Sequence, residues 1–227
     1  MLIWLASASL LAAVVAATRW WLRRVDSLGR ARAFPVFSVV LLAGLGTGLL
    51  VPVVRHATLE DRLATAASAL VGVKVTVDCQ TAGKQFIDAG AELGYVRFGP
   101  DGVPERATLI KRPQCKDLER YVGSDHEHPS PAEVLAVHVL THEAMHMSGE
   151  TNEARAECLA VQHDARTARL LGASPEAAAE LARRYWRTVY PRMPDAYVSA
   201  ECRPGGQMDV ASLDAPWRID AGPLGGG

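Results

Sequence analysis

Residues 142–146 read His-Glu-Ala-Met-His. On a helix of 3.6 residues per turn, His142 and His146 lie one above the other on a single face, with Glu143 beside them. Neutral imidazole nitrogens suit Zn²⁺, and a carboxylate next to the first of them can take a proton from a water that the ion makes acidic. This HExxH spacing predicts zinc-assisted hydrolysis with Glu143 as the catalytic base. A catalytic zinc uses three protein ligands and keeps one position open, so a further ligand must come from downstream. Residues 151–158, Thr-Asn-Glu-Ala-Arg-Ala-Glu-Cys, offer Glu153 and Glu157, four apart and facing one way on a second helix. If the chain reverses through 148–151, Glu153 comes level with His146, and Glu157 with His142 deeper in. The expected metal ligands are His142, His146 and Glu153, with Glu157 behind them orienting His142 through its distal ring N–H.

The motif needs a helix to carry it. Ser130-Pro131-Ala132-Glu133 spells a capping box with proline at the first helical position, and Gly149 stands where a left-handed cap would end the helix. Between them Val134, Leu135, Val137, Val139, Leu140, Ala144 and Met145 supply the surface of a buried helix. His138 falls on the same face one turn before His142, pointing away along the axis, and reads as a packed or supporting residue. Cys158 follows Glu153 by five residues and points about 140° around its helix, away from the ion.

These residues resemble the gluzincin class of zinc metallopeptidases, in which an HExxH helix is followed by a helix carrying a ligand glutamate and, four residues later, an acid. Glu153-Ala154-Arg155-Ala156-Glu157 is similar to the Glu-x-x-Ala-Asp pattern of membrane-associated members. The likeness covers about thirty residues, from the capping box to Cys158. Glutamate stands at 157 where the family has aspartate, and the spacer from His146 to Glu153 is short, which leaves Glu157 as the other candidate for third ligand. The resemblance implies a zincin-like domain, a Zn²⁺ cofactor and a peptide or protein substrate. His142 through Gly149 also resembles the first half of the metzincin pattern HExxHxxGxxH, with Asn152 where that pattern has its third histidine and Met193 or Met208 as the methionine of its turn.

The first fifty-five residues place the chemistry. Residues 2–18, extended by Trp20, Trp21 and Leu22, and residues 34–54 are two uncharged apolar runs, each long enough to cross about 30 Å of hydrocarbon. The rival for the first is a cleaved signal peptide, but no basic segment precedes it. Arg19, Arg23, Arg24, Arg30 and Arg32 crowd the loop between the runs against Asp26 alone, which puts the loop in the cytoplasm and both chain ends outside. Cys79, Cys115, Cys158 and Cys202 all follow the second run, an even number in a compartment where disulfides persist. Three connectivities are possible. Cys79 with Cys115 and Cys158 with Cys202 is favoured, because it ties an upstream strand region together and pins the tail to the glutamate-bearing helix. Gly44-Leu45-Gly46-Thr47-Gly48 contains a GxxxG, a weak association signal and no nucleotide loop.

With the five loop arginines and Asp26 set aside, 19 basic and 24 acidic residues leave a formal charge of −5, and nucleic acid is excluded as a partner. The expected layout is a membrane anchor over 1–55, an extracytoplasmic domain over 56–212 and a flexible tail over 213–227, in a multi-pass protein of the cell membrane whose oligomeric state is open. Within the domain, residues 59–70 read as a helix and 73–77, 94–98 and 107–111 as strands of a small sheet. Residues 107–110 are the candidate edge strand for holding an extended peptide. Helices over 152–171 and from Pro175 to about Tyr190 complete an α+β fold dominated by helix. Tyr185, Tyr190, Tyr197 and His163 are candidates to stabilise an oxyanion. His126 and His128 read as solvated loop residues. The alternative from another class is a membrane-anchored binding or assembly module, non-catalytic, with a structural zinc or none.

Overall fold

The computed structural model describes residues 2–25, 29–81 and 92–219. Asp26 and residues 220–227 of the expected tail lie outside the described residues. The chain divides into two compact units, Met1–Thr58 and Leu59–Gly227.

In the first unit α1 (Leu2–Leu22) lies against the opening turns of α2 (Val36–Val71). Ser9 donates its hydroxyl to the Leu42 carbonyl at 2.9 Å. Gly46 supplies the close approach: a Cβ there would stand 2.6 Å from Leu10 Cγ, whereas Gly44 and Gly48 meet nothing within 4 Å. The stretches Ile3–Leu22 and Val36–Val71 are both long and apolar enough to cross a membrane. Their large side chains face outward, with Trp4 and Phe37 each 79% exposed, a surface that water does not satisfy. The apolar run ending at 54 and the helix expected from 59 are parts of one element, α2. No glycine or proline occurs over 53–58, and α2 continues through both.

The second unit is helix-rich with one small sheet. Strands β1 (Thr76–Cys79), β2 (Gly94–Phe98) and β3 (Pro104–Ile110) stand in the order β1-β3-β2, with β1 parallel and β2 antiparallel to β3. The expectation of 107–110 as an edge strand is therefore wrong. Alternating side chains mark a strand but say nothing of its neighbours, and β1 pairs with the side of β3 that was expected to be free. Among the described residues β2 is the edge nearest the HExxH helix.

A helix not anticipated, α3 (Arg112–Val122), follows β3 and carries Cys115, which is bonded to Cys79 of β1. His126, in the loop after it, is buried rather than solvated: it takes a left-handed φ of 67° and packs edge-on against Tyr121. The central element is α4 (Pro131–Met147), buried continuously from Ala136 to Met147. Its capping box forms, with Ser130 accepting from the Glu133 amide at 3.3 Å and Glu133 accepting from the Ser130 amide at 2.7 Å. Gly149 at φ 113° lets the amides of Gly149 and Glu150 turn back onto the carbonyls of His146 and Met145.

The expected single helix over 152–171 is two, α5 (Glu153–Val161) and α6 (Asp164–Leu170). Gln162 lies at the break. Its side chain donates to the Met208 carbonyl and accepts from the Val210 amide, while Ser212 donates to its backbone carbonyl. These bonds to the returning chain compete with the helix and win locally. The Cys158–Cys202 bridge ties the same region to α5. Next, α7 (Pro175–Thr188) packs across α4 and α6. In the short α8 (Pro216–Ile219), Pro216 is buried and Trp217 meets Trp186 edge-on.

Candidate metal centre

Helix α4 presents His138, His142 and His146 on successive turns, and α5 returns antiparallel beside it with Glu153 and Glu157. The Nε2 atoms of His142 and His146 are 2.9 Å apart, and Glu153 Oε2 lies 3.2 Å from the first and 3.4 Å from the second. Ligand atoms around a tetrahedral zinc with bonds of about 2.0–2.1 Å are separated by about 3.3 Å, so one ion can sit within bonding reach of all three.

The outer nitrogens decide what these three atoms are. His146 Nδ1 donates to the Glu150 carbonyl at 2.7 Å, which the turn at Gly149 holds in place. His142 Nδ1 faces Glu157 Oε2 at 3.1 Å, an acceptor as well. With a proton on each Nδ1, both Nε2 atoms present lone pairs, and they meet each other and a carboxylate oxygen with no donor among them. Only a cation satisfies three converging acceptors. A proton does so in part: burial pulls the His142 pKa down, but its bonds to Glu153 and Glu157 hold it up at about 9. A divalent ion serves all three atoms at once. The groups His142, His146 and Glu153 can hold a metal ion.

Glu143 lies beside this point with 5% exposure. Thr108 of β3 reaches its Oε2 at 3.4 Å while also donating to the Tyr95 carbonyl. Burial pushes the Glu143 carboxyl up to about 7; the neighbouring His142 and the Thr108 hydroxyl oppose the rise, and Glu153 adds to it. Gly94, at the start of β2, leaves the space this side chain fills. A Cβ there would come within 3.0 Å of Glu143 Oε1 and 3.1 Å of its Cγ.

On the inner side, Glu157 is 1% exposed and fully engaged. Its Oε1 accepts from the Tyr185 hydroxyl at 2.6 Å, and its Oε2 faces both His142 Nδ1 and, at 3.0 Å, His138 Nε2. His138 Nδ1 faces Asp164 Oδ2 at 2.9 Å. Burial drives the His138 pKa down, but the two carboxylates outweigh it and raise it to about 10. Burial opposes ionisation of Glu157 as well, yet the His138 charge and the bonds from His138, His142 and Tyr185 hold its carboxyl well below the usual range.

A cleft of about 390 Å³ opens over the centre. One wall is the edge strand β2 with Glu92 and Leu93 before it; Leu135 and Val139 of α4 floor it, and Met193, Pro194 and Tyr197 close the far side. Comparison with known families, with curated proteins and with solved structures finds no match to this chain. What the centre can do rests on its own geometry.

The structure thus brings His142, Glu143, His146, Glu153 and Glu157 together and leaves other candidates aside. Asn152 caps α5 by accepting from the Arg155 amide, so its side-chain oxygen is already used. Cys158 and Cys202, like Cys79 and Cys115, are bridged in the favoured pairing. Of the four oxyanion candidates, Tyr185 is bound to Glu157, Tyr190 accepts from the Ser199 amide, and His163 faces the Leu159 carbonyl. Tyr197 lines the cleft 5.9 Å from the His142 ring, and burial together with Glu153, Glu157 and Glu143 raises its pKa. The contacts of Thr108, Gly94 and Asp164 with the centre escaped notice in the sequence. Only Asp164 carried a signal, seven residues after Glu157 and so on the same helical face.

Proposed function

We propose that this chain is a membrane-anchored, zinc-dependent metallopeptidase of gluzincin-like type that hydrolyses peptide bonds outside the cytoplasm. The observation that carries this reading is the convergence of His142 Nε2, His146 Nε2 and a Glu153 oxygen on one point, beside the buried carboxylate of Glu143. A structural zinc site would fill its fourth position with protein; here that side faces a cleft.

Zinc held by these ligands supplies Lewis acidity toward a water and the scissile carbonyl. The chain's own residues do the rest. Glu143, near neutral in its proton affinity, takes the proton of the attacking water and returns it to the leaving amine. An extended peptide pairs with β2, which among the described residues is an edge of the sheet and packs against α4. Tyr197, the one of the three tyrosine candidates whose hydroxyl has no hydrogen bond among the described residues, donates to the carbonyl oxygen as charge gathers on it. The two apolar helices fix the protein in a bilayer. Both disulfides lie in the second unit, and the arginine-rich loop between the helices marks the cytoplasmic side.

The test is Glu143→Gln in the full-length protein, assayed against a peptide library with metal content measured in parallel. Turnover is expected to fall by about 10²–10⁴-fold while zinc stays at one per chain. Unchanged turnover removes the proposed base. A zinc retained with four protein ligands and no turnover in the wild type points instead to a non-catalytic module.

A further inference from the structure

His138 belongs to neither the ion's ligands nor the base, yet it is 2% exposed and sits between two carboxylates. Both of its nitrogens face acceptors, Asp164 Oδ2 at 2.9 Å and Glu157 Oε2 at 3.0 Å. Its ring is stacked on Tyr185, with centroids 3.6 Å apart and planes 10° from parallel. Among the described residues Asp164 Oδ1 has no partner, so Asp164 directs its one side-chain hydrogen bond at this ring. Four helices meet in these contacts: His138 and His142 from α4, Glu157 from α5, Asp164 from α6 and Tyr185 from α7.

We propose that His138 is a positioning residue, a doubly donating ring that Asp164 holds in place so that it pins the Glu157 carboxylate, which in turn fixes the His142 ring for its metal. This rests on the metal reading above. Donor geometry is the reason for the residue type. A carboxylate held only by Tyr185 and His142 could swing about its last torsion, and the His142 ring would swing with it. A second donor on the same oxygen stops that motion. That donor must also face a carboxylate on its far side, because Asp164 is there. An amide offers a donor at one end and a carbonyl at the other, so it would set an oxygen against one of the two acids. An imidazolium offers two donors in nearly opposite directions and supplies the positive charge that two buried carboxylates need. The i, i+4 spacing from His138 to His142 places both rings on Glu157 Oε2 from one helix face.

The same atoms could be taken for a second metal site, since His138, His142 and Glu157 have one potential ligand atom each within 4.8 Å of the others. The contacts favour hydrogen bonds: Glu157 already receives the Tyr185 hydroxyl on its other oxygen, and the second nitrogen of His138 faces Asp164, so both ring nitrogens have carboxylate partners.

The test compares three full-length proteins in detergent: wild type, His138→Gln, and His138→Gln combined with Asp164→Asn. In the double variant the glutamine donates to Glu157 and accepts from the asparagine, so each hydrogen bond is restored without the charge. Zinc affinity is read by chelator competition. The single variant should bind zinc about 10–100-fold more weakly, and the double variant should return to within about threefold of wild type. A residue that only fills space would not show that rescue. If the single variant fails to fold, ring-nitrogen NMR of the metal-free wild type decides, and His138 should carry a proton on both nitrogens. Wild-type affinity in the single variant, no recovery in the double, one bare nitrogen on His138, or a second zinc equivalent that disappears with His138 would each overturn the proposal. A wild type that takes up no zinc defeats the metal reading instead, and the NMR result then tests the protonation of His138 independently of it.

Discussion

The two faces of His142 look out on similar groups and meet opposite fates. Toward the cleft, Nε2 meets a histidine nitrogen and a glutamate oxygen. Toward the interior, Nδ1 meets a glutamate oxygen that also touches a histidine nitrogen. By residue type and distance either cluster could hold a metal ion. They differ in how donors balance acceptors. On the inner side Tyr185 and His138 supply donors to every carboxylate oxygen that faces the group. On the cleft side the outer nitrogens face acceptors, the Glu150 carbonyl and Glu157, and with the ring protons held there three acceptors face one point. A cluster of metal-ligating side chains becomes a ligand set when its surroundings take the protons away. It becomes a support when they supply them.

The difference can be broken from either side. Glu153→Ala removes an acceptor from the cleft side and should weaken zinc binding by more than about 100-fold, whereas Glu157→Gln, which leaves all three ligands in place, should cost about 10–100-fold. Titration against a chelator measures both, and the reverse order would exchange the two carboxylates' roles. A smaller effect separates the faces by pH in the metal-free protein. The His138 pKa is raised from 6.5 to about 10, so its contribution to stability is complete below 6.5 and is lost as pH climbs through 10. The Glu157 pKa is lowered from 4.5, so its contribution is present above 4.5 and is lost on acidification. Denaturant unfolding should therefore show a plateau between those limits, and the alkaline fall beyond it should disappear in His138→Gln; a pH profile identical to wild type would mean that the inner cluster contributes no charge-linked stability.

Much of the centre could be read from the chain because its determinants are local. The capping box at Ser130 and the glycine at 149 bound α4, and helical spacing alone put His142 and His146 on one face. The αα-hairpin followed from the short spacer, and with it the levels of Glu153 and Glu157. What could not be read depends on distant chain. The break at Gln162 is made by groups of residues 208–212, nearly fifty positions away. The place of β3 in the middle of the sheet depends on a parallel partner, β1, that no turn links to it. His126 sits in a polar stretch and looks solvated until Tyr121 is seen against it. The second apolar run and the helix after it read as two stretches because hydropathy ends at residue 54 while helical propensity continues across the join.

The most direct test is X-ray absorption at the zinc edge on the full-length protein after exhaustive dialysis. One zinc per chain should remain, bound by two imidazole nitrogens and by oxygen at about 2.0–2.1 Å, one oxygen being exchangeable with added peptide hydroxamate. A protein that loses its metal on dialysis, or a shell of four protein ligands that hydroxamate does not disturb, would contradict the account.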